Sequence, residues 1–322
     1  MPLVTRPGIL GASVRFWKKS YAADYITIVV LAVCVLLMHL FLRPFHRMFY
    51  IDNLAIQYPY TRQERVPEIW SIIYSGVSPL ILIFVWGLVA RFDVHKLHVS
   101  ILGLLSALAM TPFITGIIKN SVGRPRPDLI ARCQPEEGTP EHTLVTYAVC
   151  TQPNERILRE GWRSFPSGHS SFGFAGLGYL ALFISGQLHV FRPRADLASC
   201  FLALLPLLGA VLIAISRCED YRHDVWDVTS GAVLGSVVTY FSYRRFYPSL
   251  RSARCDIPYK ADDVINEFRR VSSDEESQNY WSRRDRRRRH SISSDVDGES
   301  VAGSLHLNDV QADPPRRTLP LH

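Results

Sequence analysis

A chain of 322 residues allows one large domain or two modest ones. Its mean hydropathy of +0.06 averages a strongly apolar first three quarters with a polar, charged tail, which argues against an ordinary globular enzyme and for a membrane body with a soluble appendage. The formal net charge is +7, and no nucleic-acid partner is expected.

A short segment, residues 1–23, carries Arg15, Lys18 and Lys19 ahead of the first apolar run. Six apolar stretches then approach the ~20 residues that a spanning helix needs: 24–42, 69–90, 98–118, 170–191, 197–216 and 226–243. The first is expected to be retained rather than cleaved as a signal peptide, because Arg43-Pro44-Phe45-His46-Arg47 follows Leu42 in place of a small-residue cleavage pattern. Thr111-Pro112 and Thr115-Gly116 interrupt the third. A proline there is tolerable where neighbouring helices or hydroxyls satisfy the freed carbonyl, so packed helices rather than lipid are expected around it. In the sixth run Gly231 and Gly235 permit close approach of another helix, either within the chain or in a homodimer. The expected fold is all-α: a polytopic membrane bundle of six transmembrane helices over residues 24–247.

Residues 248–322 are expected to form a disordered cytosolic tail. They combine Ser272-Ser273-Asp-Glu-Glu with a basic run from Arg283 to Arg289, and without apolar periodicity they cannot offset their ordering entropy. Three readings of the basic run stay open: attraction to anionic lipid, a kinase address for Ser291 and Ser293, or a plain solvated charge run.

Three strings fall at the ends of apolar runs: Lys119 to Pro127, with Arg126 inside it; Pro166-Ser167-Gly168-His169; and Ser216 to Asp227, containing Arg217 and His223. With six spans both termini share one side and all three strings share the other. Lys and Arg are tied between the two sides, and setting aside Lys119, Arg126 and Arg217 leaves the terminal side ahead. The termini are therefore expected in the cytosol and the strings toward the lumen or exterior, in a vacuolar, Golgi, endoplasmic reticulum or plasma membrane. Cys133 and Cys150 lie in one loop of the string side. On an oxidising face they can close a small loop, and the alternative is two free thiols. Cys34 and Cys200, inside spans, read as small apolar packers.

Phosphoryl transfer needs stabilised equatorial oxygens, an in-line nucleophile and a proton for the leaving group. Lys119, Arg126 and Arg217 supply three cations. Gly123, Pro125 and Pro127 make a helix continued past Lys119 unfavourable. Ser167 suits a helix cap, and the free amides after it, with Gly168, suit an oxyanion. His169 is placed to protonate a leaving oxygen. His223 and Asp227, four apart, share a face if helical, so that the carboxylate fixes the tautomer and frees the other nitrogen as a nucleophile. Duller readings exist for each piece: a common turn, a surface pair, a snorkelling lysine. A metal site on His169, His223 and Asp227 is opposed by the three cations beside it, so neither metal nor cofactor is expected.

Together the strings resemble the signature of the type 2 phosphatidic acid phosphatase superfamily, the lipid phosphate phosphatases: K-x(6)-R-P, P-S-G-H and S-R-x(5)-H-x(3)-D, matched at every specified position. Arg132-Cys133-Gln-Pro, Ser164 to Ser171 and Asp220 to His223 are similar to its fungal-type diacylglycerol pyrophosphate and lipid phosphate phosphatase branch. The resemblance implies a Mg-independent membrane hydrolase acting on phosphatidate, diacylglycerol pyrophosphate and related lipid phosphates through a phosphohistidine. It implies His223 as nucleophile, His169 as general acid and Asp227 as the orienter of His223, with Lys119, Arg126, Ser167, Gly168 and Arg217 as phosphate ligands. Polyisoprenyl-pyrophosphate or sphingoid-base phosphate hydrolysis, and a noncatalytic phospholipid-binding role, remain as alternatives.

Overall fold

The computed structural model describes residues 20–260. Among them eight α-helices, two 3₁₀ turns (Leu54–Ile56 and Tyr147–Val149) and no strand are found: α1 Ala22–Phe41, α2 Glu68–Val89, α3 Val94–Val122, α4 Leu129–Cys133, α5 Glu155–Glu160, α6 Gly168–Gln187, α7 Leu197–Glu219 and α8 Val225–Arg244. A π-helical turn at Ile73–Val77 interrupts α2. The all-α expectation holds, with each long helix on an expected run.

The helix ends follow from local chemistry. Ser167, Asp196 and Asp224 cap α6, α7 and α8 through their side chains, each satisfying an amide that the first turn leaves open. Gly123 ends α3 in the left-handed region at φ 57°, and a Cβ there would lie 1.8 Å from the Phe45 carbonyl oxygen. Lys119 is thus followed by three more helical residues before the stop that Gly123 imposes. At the proline inside α3, the Thr111 hydroxyl donates to the Ala107 carbonyl at 2.8 Å, and Thr115 meets Ser171 of α6 at 3.0 Å. Packed helix does surround that point.

Helix α6 is the centre of the bundle, lying against α8, α7 and α3, while α1 packs on α3. Four helices are long and apolar enough to cross a membrane: α1, α2, α3 and α7. They carry exposed apolar residues such as Val29, Leu36, Phe84, Leu204 and Leu212. By composition the count is four, not the expected six. The reason is visible in α6, whose Ser170, Ser171 and Ser185 are buried against protein, so that neighbours rather than an apolar surface screen it. Both α6 and α8 have 20 residues, about 30 Å at 1.5 Å per residue.

Gly231 and Gly235 are used within the chain. Cβ atoms there would lie 2.6 Å from the Ser167 carbonyl oxygen and 2.3 Å from that of Ser171, so α8 touches the backbone of α6.

Outside the bundle, a smaller core of Phe49, Ile56, Leu129, Cys133, Val145 and Trp162 joins the α1–α2 connection to the loops around α4 and α5. Cys133 and Cys150 form a disulfide there. Residues 248–260, which the tail expectation included, are packed on the bundle. Cys255 is fully buried with its thiol on the Gly186 carbonyl, the Tyr259 amide donates to the Phe246 carbonyl at 2.9 Å, and Lys96 pairs with Asp256 at 3.8 Å. The absence of periodicity misled because these contacts are made by a few isolated side chains. The phosphorylation and basic-run expectations lie outside the described residues.

Candidate active site

The C-terminal ends of α3 and α7 and the N-terminal ends of α6 and α8 meet at one end of the bundle, which brings the three strings together. From the last turn of α3, the buried Lys119 sends Nζ to the Arg163 carbonyl at 2.7 Å. Arg126 is fixed twice: its amide donates to the Gly161 carbonyl at 2.8 Å, and Nη2 donates to Glu160 at 3.0 Å. Its Nε is buried without a partner. Arg217, in the last turn of α7 and 1% exposed, donates from Nη1 to Glu64 at 2.7 Å and from Nη2 to Asp220 at 2.8 Å. Each expected phosphate ligand among the cations is therefore held in place before any anion arrives, which lowers the reorganisation needed to bind one.

Burial brings the Arg126 guanidinium down to about 10, with Glu160 opposing the shift. It remains a cation at neutral pH. Burial pushes Glu160 up, but Arg126, Arg163 and Lys119 outweigh that and hold it at about 2. The Glu160 carboxylate is thus a permanent brace between Arg126 and Arg163.

The Ser167 hydroxyl accepts from the Ser170 amide at 3.5 Å as the α6 cap, and the Ser167 amide donates to the Asp227 carbonyl at 2.9 Å. A Cβ on Gly168 would meet open space, so that the α6 amide end is approachable. In the first turn of α6, His169 bonds to the backbone of Val66, and its Nε2 is buried without a hydrogen-bond partner. Lys119, Arg126 and Arg217 act electrostatically on both His169 and His223.

His223 does not sit on a helix. Residues 220–224 wrap around the end of α7, with the Arg222 and His223 amides both donating to the Arg217 carbonyl at 3.0 and 3.3 Å. The cause is the cap: Asp224 starts α8, and the Asp227 carboxylate completes the capping box by accepting from the Asp224 amide at 3.0 Å. The four-residue spacing still brings the groups face to face, His223 Nδ1 lying 3.8 Å from Asp227 Oδ2. At that distance the two groups face each other without a hydrogen bond. Burial first, then Arg126 and Lys119, push the His223 imidazole well below its ordinary value, so the ring is neutral at pH 7 with a lone pair available.

A cavity of about 920 Å³ adjoins His223. Its walls come from the α1–α2 connection (Phe45, Arg47, Met48, Phe49, Tyr50, Tyr58), from Arg124, Pro125 and Pro127, and from Tyr221, His223, Asp224 and Val225. The connection itself is strapped over the site: Tyr60 lies between the guanidinium groups of Arg132 and Arg222 at 4.8 and 4.6 Å, and Glu64 reaches both Arg217 and Arg222.

Residues 100–251 match the PAP2 superfamily. Similar proteins include "Diacylglycerol pyrophosphate phosphatase 1" of Saccharomyces cerevisiae, 46% identical over 212 residues, 65% of this chain and 73% of the relative. "Probable diacylglycerol pyrophosphate phosphatase 1" of Schizosaccharomyces pombe is 35% identical over 265 residues, 82% of this chain and 94% of the relative. "Lipid phosphate phosphatase 2" of Arabidopsis thaliana is 37% identical over 231 residues, 71% and 78% of the two chains. The chain belongs to the PAP2 superfamily. No solved structure matches it.

Several residues that shape the PAP2 site escaped the sequence reading. Arg124 donates to Asp227 and Asp224 at 2.9 Å each, and the Ser164 hydroxyl donates to Asp227 at 2.5 Å. Arg124 was detectable as a further cation within the first string. Ser164 directly precedes the Phe-Pro-Ser-Gly-His run. Glu64 left no signal, since a carboxylate in a polar loop does not announce which distant cation it will meet, whereas Asp220 and Glu160 each lie only three residues from a cation they pair with, Arg217 and Arg163.

Proposed function

We propose that this chain is an integral-membrane lipid phosphate phosphatase that removes the terminal phosphate of phosphatidate, diacylglycerol pyrophosphate and related lipids through a phosphohistidine on His223, without a divalent metal. The observation that carries this reading is the grouping of two imidazoles, each with a buried ring nitrogen and one of them facing a carboxylate, with three braced cations. The PAP2 relatives named as diacylglycerol pyrophosphate and lipid phosphate phosphatases support the substrate class.

With Nδ1 facing Asp227, Nε2 of His223 is the attacking atom. It forms a bond to phosphorus while the bond to the leaving oxygen breaks, and where that oxygen is the glycerol oxygen of phosphatidate His169 supplies its proton. Lys119, Arg126 and Arg217 hold the three equatorial oxygens, with the Ser167–Gly168 end of α6 adding amide donors. Asp227 stabilises the imidazolium character that develops on His223. Water then attacks the phosphohistidine, His169 taking its proton, and phosphate leaves. All six long helices cross the bilayer in this reading, and the site faces the lumen or exterior. The Cys133–Cys150 disulfide on the string side supports that face, because disulfides persist in oxidising compartments.

The test is phosphate release from phosphatidate and diacylglycerol pyrophosphate by the purified full chain in detergent and chelator. Wild type is expected to turn over, and His223→Ala to lose turnover altogether. Full activity of that variant, or a strict need for added Mg²⁺, defeats the proposal.

A further inference from the structure

The cavity beside His223 holds a cation that the chemistry above does not use. Arg47, exposed to solvent at the cavity wall, lines it, and its guanidinium has no carboxylate or carbonyl partner among the described residues; only its backbone carbonyl is engaged, accepting from Trp162 Nε1 at 2.9 Å. Its neighbours differ. Arg124, the other arginine of the lining, is neutralised by Asp224 and Asp227, and Arg126, Arg217 and Arg222 each have a carboxylate. The cavity therefore carries one uncompensated positive charge in walls that are otherwise largely apolar and aromatic: Phe45, Met48, Tyr58, with Tyr58 stacked on Tyr221 at 4.6 Å. Phe45, Leu144 and Val225 of the lining are 60%, 51% and 62% exposed, so the apolar wall continues outward. At about 920 Å³ the space lies within the range of small-molecule sites. Arg47 also lies outside the stretch matched to the PAP2 superfamily, unlike Lys119, Arg126, His169, Arg217, His223 and Asp227.

We propose that this cavity is the leaving-group subsite for a diphosphate lipid, with Arg47 as its specificity-determining residue. The inference rests on the lipid phosphatase reading and deepens it. The terminal phosphate of diacylglycerol diphosphate occupies the ring of cations at His223, the inner phosphate meets Arg47, and the glycerol leads out along the aromatic wall.

The bond changes explain why Arg47 matters to one substrate class. As Nε2 of His223 bonds to the terminal phosphorus, the bond from that phosphorus to the bridging oxygen breaks. The electron pair stays on the bridging oxygen, which becomes a non-bridging oxygen of the released phosphatidate. Negative charge on the inner phosphate grows through the transition state, and a guanidinium facing it is stabilising in the transition state more than in the ground state. Phosphatidate has no inner phosphate: its leaving group is the glycerol oxygen, which takes the His169 proton and presents no anion to Arg47. The substrate ratio, rather than overall rate, is what Arg47 sets.

The experiment compares kcat/KM for diacylglycerol pyrophosphate and for phosphatidate in mixed micelles with chelator, using the full chain as wild type, Arg47→Ala and Arg47→Lys. The ratio of the two values is expected to fall at least ten-fold in Arg47→Ala and to recover in part in Arg47→Lys. Inhibition by inorganic pyrophosphate is expected to weaken more than inhibition by inorganic phosphate. If Arg47→Ala merely harms folding, both substrates decline together and the Arg47→Lys ratio decides. An unchanged ratio in both variants, or a wild type that hydrolyses phosphatidate alone, overturns the subsite while leaving the phosphatase reading intact. A wild type that hydrolyses neither substrate overturns the phosphatase reading itself.

Discussion

Asp227 serves more partners than an orienting carboxylate requires. It accepts from Arg124, Ser164 and the Asp224 amide while facing His223 at 3.8 Å. The change Asp227→Asn keeps the shape but removes the charge opposite Arg124 and His223, and puts an amide donor among groups that donate. We expect a loss of rate on the order of 10² to 10⁴, as for other carboxylates that hold a catalytic imidazole. Unlike a residue that only orients, it should also lose stability, about 2 kcal/mol for a charged hydrogen bond, read as a lower unfolding midpoint in detergent. A near-wild-type rate with the same stability loss would reduce Asp227 to a capping residue. The spacing of His223 and Asp227 made their meeting legible in the sequence, yet the helix supposed to carry both begins only after Asp224. The carboxylate is needed by the helix end, and that competition is invisible in spacing alone.

At the scale of elements, the contact between α6 and α8 decides whether the second and third strings meet. Two glycines one turn apart let the helix backbones touch. Gly235→Leu places a side chain where even a Cβ would be 2.3 Å from the Ser171 carbonyl oxygen, so folded protein and turnover should both fall by a large factor. Gly209→Ala is the control: its Cβ would make an ordinary 3.5 Å contact with Leu177, and should be tolerated. Light scattering after size exclusion, with turnover on the same fractions, separates the cases. Retained turnover with a smaller oligomer would move these glycines to a contact between chains. The sequence displayed the small-residue spacing but not its partner, because two equally apolar helices offer no further pattern by which to choose.

For the molecule as a whole, the bundle closes through residues 246–259. Tyr247 is fully buried with its hydroxyl 2.7 Å from Ser100, and Cys255 is fully buried. Ending the chain after Lys260 should preserve turnover in detergent, since the proposed site residues lie between Arg47 and Asp227. Ending it after Ser249 should lower the thermal midpoint, because the burial of Cys255, the Lys96–Asp256 pair and the Tyr259 hydrogen bond go with it. Loss of turnover in the chain ended after Lys260, measured with a soluble phosphate ester, would give the residues beyond it a direct part in chemistry.

By itself the sequence determined the helical class, the ends of the long helices to within a few residues, and the superfamily. Apolar runs, caps and three spaced strings are local patterns, and each is written in consecutive residues. The tertiary structure decided what those patterns meet. It alone placed Glu160, Glu64 and Asp220 on the cations, bent His223 off the helix, buried the polar face of α6 so that composition understates it, and folded the Arg47 connection into a cavity beside the nucleophile. Most of these contacts, such as Glu160 with Arg126 and Glu64 with Arg217, join residues tens to more than a hundred positions apart, and no local periodicity records which distant side chain a charge or a ring will find.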